Sequence, residues 1–281
     1  MNMSDIVIDA PVLATTIEAE LNYLEFTGEK PVSYQYDPPP GVPKRSGVYR
    51  AHRVSIANAR VAPPPGVLSI DRNGFELHRH ASALSDFSDP AKIESVYYPE
   101  AERLLKQATG ARRVVVFDHT LRDGNPERGN GIREPVKYIH NDQTFVSGPR
   151  RVRDHLPAAE AERLLKGRVA IVNLWRPIGE TVHASPLALC DSRSITLNDL
   201  VASDLVYPDK VGETYALVFN PRHRWYYFPH MSPDEYLLLK IYDSAGDGIA
   251  RLTAHTAFDD PTSPADAPPR RSIELRTLLF F

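Results

Sequence analysis

The chain has 281 residues, of which 42% are apolar, and its formal net charge is −3 at pH 7. This composition allows a sizeable core, and the slightly negative charge argues against nucleic acid as a partner. Its single cysteine, Cys190, excludes an internal disulfide and is typical of a reducing compartment. We find no apolar run of 18 residues and no secretory leader in the sequence, so we expect a cytoplasmic protein without a membrane span.

The first third of the chain is predicted to be largely irregular. Residues 38–42 and 63–67 both read Pro-Pro-Pro-Gly-Val, which indicates two extended connectors, with a strand between them over 47–59. A helix is predicted over 98–106, because a proline and acidic residues lie in its first turn and Gly110 lies just beyond its end.

The rest of the chain is predicted to be mainly strands, with one mostly helical stretch over 148–166. Strands are predicted at 113–119, 135–140, 169–175, 213–219, 225–228, 236–242 and 273–281. Short strands between turn-rich loops are typical of a sandwich or jelly roll. We therefore predict a mainly β fold with flanking helices, in one domain over residues 1–281. An irregular N-terminal extension, 1–95, would pack on a jelly-roll core, 96–281.

A candidate metal site begins with His140 and Asp142. Residues two apart in a strand point to the same face, so both side chains can reach one ion. One distant histidine would complete the two-histidine, one-carboxylate set of non-haem Fe(II) oxygenases, which leaves positions open for a co-substrate and dioxygen. We favour His255, because its neighbours are small. The alternatives are His183, His223 and His230.

Basic residues follow His255 on the last predicted strand. Arg270, Ser272 and Arg276 share one face of that strand, and an inward arginine needs an anionic partner. A structural ion pair with Glu274 would satisfy Arg276, whereas Arg270 with Ser272 is suited to a carboxylate of 2-oxoglutarate. Arg276 is kept as the alternative anchor for this co-substrate.

Polar and aromatic residues end the most apolar strand. Asn173 and Trp175 share a face, and we expect Asn173 to help orient the co-substrate. Trp175, Trp225 and Tyr227 would line an apolar substrate pocket, and Arg176 would receive a substrate carboxylate. Packing in the core explains the same four residues without a functional role.

Six blocks of the chain together resemble a known enzyme family. They are residues 136–144, 173–177, 186–191, 225–228, 255–258 and 271–276. In this order they are similar to the family that includes fungal gibberellin-desaturase-like hydroxylases, the cephem 7α-methoxylase component and the novofumigatonin endoperoxidase. The resemblance covers roughly residues 95–281. It implies a double-stranded β-helix and an oxygenase that uses Fe(II), 2-oxoglutarate and O2.

The resemblance also suggests roles for particular residues. It puts His140, Asp142 and His255 on the metal positions, and Arg270 and Ser272 on an Arg-x-Ser position, although Arg271 offers a second register. The expected function is hydroxylation, desaturation or cyclisation of a small molecule in secondary metabolism. Two alternatives stay open: an S-adenosylmethionine-dependent methyltransferase or its accessory subunit, and a metal-binding jelly roll without redox turnover. A homodimer is also left open.

Overall fold

Fourteen β-strands form two sheets in the computed structural model, which describes residues 14–64, 66–125, 133–246 and 248–281. With strands numbered in chain order, the larger sheet runs β1 (Thr16–Glu25), β3 (Val48–Asn58), β11 (Trp225–Tyr227), β8 (Leu187–Cys190), β13 (His255–Ala257), β6 (His140–Asn141), β10 (Val211–Leu217), β9 (Leu200–Val206) and β2 (Val32–Tyr34). The smaller sheet runs β4 (Phe75–Arg79), β12 (Glu235–Asp243), β7 (Val169–Pro177), β14 (Arg271–Phe280) and β5 (Arg113–Asp123).

Five short α-helices accompany the sheets in the described residues. They are α1 (Ile70–Asn73), α2 (Pro90–Lys92), α3 (Tyr98–Thr109), α4 (Ser147–His155) and α5 (Ala158–Leu164), with a π-helical turn, Ile93–Tyr97, joining α2 to α3. Helix α3 ends at Gly110, whose left-handed φ of 73° suits glycine and whose N–H donates to the carbonyl of Lys106. None of the described helices is long and apolar enough to cross a membrane.

The two sheets face each other across an apolar core. Leu189 and Tyr226 of the larger sheet lie in one cluster with Trp175, Leu237 and Leu239 of the smaller sheet. Residues of α3 and the π-helical turn cover the other face of the smaller sheet. Every residue of β7 and β12 is therefore buried, as is typical of strands with both faces covered.

The larger sheet is strongly curled. Isolated bridges join Asn22 to Tyr138 and Leu24 to Val218, so β1 returns towards β6 and β10. A separate apolar cluster, which includes Leu21, Tyr23, Trp225 and Tyr227, fills the outer side of this sheet. The resulting mainly β architecture confirms the predicted jelly roll.

Two local features differ from the prediction. The N-terminal segment contributes four strands, β1 to β4, which are hydrogen-bonded into both sheets. The strand predicted over 135–140 is restricted to His140–Asn141, because only these residues pair with β10 and β13. Pro135 has no N–H to offer, which helps explain why the ladder does not begin earlier.

A buried cluster of charges ties α1 to the smaller sheet. Lys240 Nζ donates to Asp71 Oδ1 and Asp243 Oδ2, both at 2.6 Å. Arg168 Nη2 donates to the same two oxygens at 2.8 Å and 2.7 Å. The side chains of Lys240 and Asp243 are 2% and 0% exposed, so neither charge can be solvated in place of its partner.

We predict that Lys240→Met lowers the free energy of unfolding by about 3 kcal/mol, because it leaves a buried carboxylate with half of its cationic partners. The exposed Lys210→Met is the control and should change it by less than about 0.5 kcal/mol. Urea denaturation of both variants checks this, and equal midpoints would contradict it.

Candidate metal centre

His140, Asp142 and His255 meet on the inner face of the larger sheet. Their candidate ligand atoms all lie within 4.8 Å of one another. His140 and His255 are paired directly across β6 and β13, and Asp142 follows β6 by one residue. His140 Nε2 lies 3.5 Å from Asp142 Oδ1. Two imidazoles and one carboxylate at this spacing fit the donor set of a non-haem iron site.

Backbone carbonyls fix both imidazole rings. His140 Nδ1 lies 2.7 Å from the carbonyl of Tyr138, and His255 Nδ1 lies 3.3 Å from that of Thr253. Because a carbonyl only accepts, each Nδ1 acts as the donor, and each Nε2 is left with a lone pair that could bind a metal. Burial and the charge of His255 lower the pKa of His140 to about 4, and burial also lowers the pKa of His255.

Two residues of the smaller sheet hold the carboxylate of Asp142. Arg276 Nε donates to Asp142 Oδ2 at 3.2 Å, and Asn173 Nδ2 donates to the same oxygen at 2.8 Å. Burial alone would raise the pKa of Asp142, but Arg276 and the two histidines hold it well below its usual range. The carboxylate is therefore ionised and oriented before any metal binds.

Arg276 is fully occupied by neighbours within the protein. Besides Asp142, its guanidinium donates to Asp118 Oδ2 and Thr120 Oγ1, both at 2.8 Å, and to Glu274 Oε1 at 3.0 Å. Burial by itself would lower the pKa of Arg276, but these three carboxylates raise it. The predicted ion pair with Glu274 is thus present.

Arg270, unlike Arg276, forms no ion pair with the described residues. It is buried and donates through Nη1 to the carbonyl of Ser185 at 2.6 Å, and no described carboxylate pairs with it. Its Nε and the hydroxyl of Ser272 are buried without any partner among the described residues. Burial and the nearby charge of Arg122 lower the pKa of Arg270 to about 9. Such orphaned donors fit a missing carboxylate ligand.

Strand pairing shows which aromatic residue of β11 shares the face of the triad. His255 pairs with Leu189, and Leu189 pairs with Tyr226. Tyr226 therefore points towards the inner side, whereas Trp225 and Tyr227 point outward. Trp225 Nε1 donates to the hydroxyl of Tyr23 at 2.7 Å. The rings of Tyr227 and Phe258 pack edge-on, with 5.6 Å between their centroids. The predicted places of Trp225 and Tyr227 in the pocket are wrong for this reason.

Two consecutive residues near the end of β7, Trp175 and Arg176, also point to opposite faces of their sheet. Trp175 lies on the inner face, and Cζ of Arg270 lies 5.3 Å from the centroid of its ring. Arg176 lies on the opposite face, 1% exposed, between the rings of Tyr97 and Tyr236. Its Nη1 donates to the carbonyls of His80 and Pro233. Arg176 therefore packs against the α3 side of the sheet, which corrects the predicted contact with substrate.

The alternative histidines lie elsewhere. His223 contacts Asp199 and the hydroxyl of Tyr23. His183 and His230 contact each other, with 3.2 Å between their Nδ1 atoms. In the described residues, three metal-ligating side chains come together at His140, Asp142 and His255 and not at these alternative histidines.

Comparison with known proteins identifies the family. Residues 21–280 match a family model described as an oxidoreductase/YMDC permease-like domain. The chain is 35% identical over 240 residues to the hydroxylase/desaturase efuI of Hormonema carpetanum, with 77% of this chain and 80% of that protein covered. It is 33% identical over 254 residues to the Fe(II)/2-oxoglutarate-dependent dioxygenase nvfI of Aspergillus novofumigatus, with 88% and 90% covered. The chain belongs to the Fe(II)/2-oxoglutarate-dependent dioxygenase family.

Structural similarity agrees with this membership. A solved structure of the iron and alpha-ketoglutarate-dependent endoperoxidase NvfI superimposes with a TM-score of 0.84 and 30% identity, and the match covers 95% of this chain and 98% of that one. As a dioxygenase of this family, the protein is an oxidoreductase that uses Fe(II), 2-oxoglutarate and O2 and acts on a small molecule. The family assignment replaces the methyltransferase alternative.

Sequence reasoning missed Arg122 and Tyr226, which also face the inner side. In β5, the polar residues Asp118, Thr120 and Arg122 follow one another at intervals of two, so they share one face of the strand. This period of two continues past residue 119, where the strand was predicted to end, and it was the available signal for Arg122. No comparable signal distinguishes Tyr226 in a run of four aromatic residues.

We predict that Arg276→Gln weakens metal binding by about 10- to 100-fold, because Asp142 loses its cationic partner. The metal affinity is measured by competition between the purified protein and a chelator for Zn(II). The exposed Arg153→Gln, which removes a surface pair with Glu162, serves as control. If the affinity of Arg276→Gln equals that of the control, the ion pair does not support the site.

Proposed function

We propose that His140, Asp142 and His255 bind Fe(II) and that Arg270 and Ser272 bind the distal carboxylate of 2-oxoglutarate. The observation that carries the proposal is the convergence of three ligand atoms within 4.8 Å on one inner face. Bound Fe(II) would supply the redox chemistry that couples decarboxylation of 2-oxoglutarate to oxidation of the substrate by O2. The remaining steps depend on how the chain's own residues bind and orient these partners.

The protein residues prepare the metal ligands. Hydrogen bonds to the carbonyls of Tyr138 and Thr253 present Nε2 of each histidine to the metal. Arg276 and Asn173 hold Asp142 Oδ2, which leaves Oδ1 on the side of His140. Asn173 Oδ1 has no partner among the described residues, so the predicted contact of Asn173 with the co-substrate stays a prediction.

Arg270 is the better anchor for 2-oxoglutarate than Arg276. Arg276 is already shared by three carboxylates, whereas the Arg270 Nε and Ser272 Oγ donors have none. A planar guanidinium with a hydroxyl beside it is suited to a bidentate carboxylate contact. The ring of Trp175 below Arg270 shields this contact from water, which strengthens it.

The substrate is proposed to be a small organic metabolite of secondary metabolism. This is supported by relatives named hydroxylase/desaturase, and by an endoperoxidase of similar structure. The apolar inner residues Leu187, Leu189 and Tyr226 would pack against it. Hydroxylation, desaturation and cyclisation all remain within this proposal. A single domain over residues 1–281, a cytoplasmic location and a homodimer stay predictions from sequence.

We predict that the purified protein consumes 2-oxoglutarate when Fe(II) and ascorbate are supplied, and that Asp142→Ala abolishes this because one of three ligands is lost. His140→Ala should behave in the same way. Succinate formation is measured, with circular dichroism to confirm folding and the exposed Asp209→Ala as control. Full turnover by a folded Asp142→Ala variant would contradict the assignment of the three metal ligands. Absence of turnover in the wild-type protein would favour a jelly roll without redox function.

We predict that Arg270→Gln raises the KM for 2-oxoglutarate by about 30-fold or more, the effect of removing a charge-assisted carboxylate contact. Arg271→Gln is the matched control, because Arg271 is exposed and faces the other side of β14. Steady-state kinetics of both variants checks this. A strong effect in Arg271→Gln with none in Arg270→Gln would mean that the Arg-x-Ser register is shifted.

A further inference from the structure

Arg122 is a second cation on the inner face of the smaller sheet that has no ionic partner among the described residues. In the ladder between β5 and β14, Asp118 pairs with Arg276, Thr120 with Glu274 and Arg122 with Ser272. Arg276 donates to Asp118, Thr120 and the metal ligand Asp142, so these even positions share the face of the triad. Arg122 continues that row beyond Thr120, beside Ser272.

The charge of Arg122 has no anionic partner in the part of the chain that is described. Its Nη1 donates to the backbone carbonyl of Glu134 at 2.9 Å. Glu274 and Asp142 are the opposing charges that act on it, but both carboxylates accept from Arg276. Burial lowers the pKa of Arg122. A half-buried guanidinium that is held by one neutral acceptor is costly unless a ligand neutralises it.

Arg122 and Arg270 together need more than one anion. The two guanidinium groups repel each other, because Arg122 is the leading charged group that lowers the pKa of Arg270. The distal carboxylate of 2-oxoglutarate is assigned to Arg270 and Ser272. The other carboxylate of 2-oxoglutarate belongs at the metal in the proposed site. Arg122 is therefore left over once the co-substrate is bound.

An open cavity lies beside Glu134, the residue whose carbonyl accepts from Arg122. Its volume is ≈ 600 Å³, and its lining includes Gly124, Glu134, Tyr138 and Ser185. Ser185 is the residue whose carbonyl accepts from Arg270. The cavity also borders the segment that leads into the metal-binding strand β6. Arg122 does not itself line the cavity, so a small molecule there would reach it past the carbonyl of Glu134.

We propose that Arg122 binds a carboxylate of the primary substrate, so that the substrates of this dioxygenase are carboxylic acids. The inference rests on the proposed function of the triad and of Arg270. Arg122 would act as a specificity and positioning residue: its ion pair fixes the acid group at the cavity, and the carbon skeleton extends over the apolar inner residues towards the metal. This role is the one that sequence analysis had given to Arg176, which lies on the opposite face of β7.

The test measures binding without turnover. The full chain is loaded with Zn(II) and 2-oxoglutarate, and three acids are titrated by calorimetry against their primary amides: octanoate, 3-phenylpropanoate and 2-naphthoate. At least one acid should bind about tenfold or more tightly than its amide. Arg122→Gln should abolish that preference, and Arg122→Lys should keep part of it. Arg113→Gln, on the same strand but paired with Glu160, should leave it unchanged.

The affinity for 2-oxoglutarate separates this inference from the proposed function. Arg122→Gln should bind 2-oxoglutarate within about twofold of wild type, which also shows that the variant is folded, whereas Arg270→Gln should not. Equal binding of every acid and its amide by wild type would overturn the role of Arg122 and leave the dioxygenase site intact. A tenfold loss of 2-oxoglutarate affinity in Arg122→Gln would assign Arg122 to the co-substrate instead. Failure of wild type to bind 2-oxoglutarate would remove both.

Discussion

The ion pair between Asp142 and Arg276 is the contact on which the rest of the site depends. Asp142 follows β6 of the larger sheet, and Arg276 lies on β14 of the smaller sheet, so the pair spans the space between the sheets. Asn173, the neighbour of Arg276 in the β7–β14 ladder, reinforces it. Breaking a buried pair of this kind typically costs about 3–5 kcal/mol, because one charge is left uncompensated. The position of the Asp142 carboxylate is therefore fixed by the packing of the two sheets.

The three inner arginines differ in whether carboxylates of the protein neutralise their charge. Arg276 is neutralised within the protein by Asp142, Glu274 and Asp118. Arg270 and Arg122 have no described carboxylate of their own, although both face the inner side of the same sheet. Charge that the protein leaves unpaired in a half-buried space is available for ligands, and the fold tolerates it only near an opening. On this pairing pattern we propose one structural arginine, Arg276, and two arginines that bind ligands.

Sequence reasoning succeeded where one short pattern fixes the geometry. His140 and Asp142 lie two residues apart, so a strand or its extension brings them to one face, and His255 was distinguished by its small neighbours. Arg270, Ser272 and Arg276 alternate on one strand, which also fixed their common face. The apolar strands β7, β12 and β14 were predicted nearly to their observed ends, because long buried strands give an unambiguous apolar run.

It failed where both faces of a strand are buried. Trp225, Tyr226 and Tyr227 lie on a strand with one apolar cluster on each side, so hydrophobicity carries no information about which side contains the metal. Arg176 was misplaced for a related reason: the carbonyls that accept from its Nη1 and the aromatic rings beside it come from distant parts of the chain. Only the pairing of β7 with its neighbours determines its direction. Strands β8 and β9 were missed because their partners, not their own sequences, define them. Strand β1 was missed although Ile17, Ala19, Leu21 and Tyr23 alternate with polar residues, which is a strand signal in the sequence itself.

We propose that ligands from the larger sheet and arginines from the smaller sheet form one site. The most direct measurement is a crystal structure of the protein grown without oxygen, with Fe(II) and 2-oxoglutarate, using anomalous scattering at the iron edge. We expect one iron about 2.1 Å from Nε2 of His140 and of His255 and from Asp142, with the distal carboxylate of 2-oxoglutarate on Arg270 and Ser272. Iron bound at His183 and His230, or a distal carboxylate paired with Arg276, would contradict it.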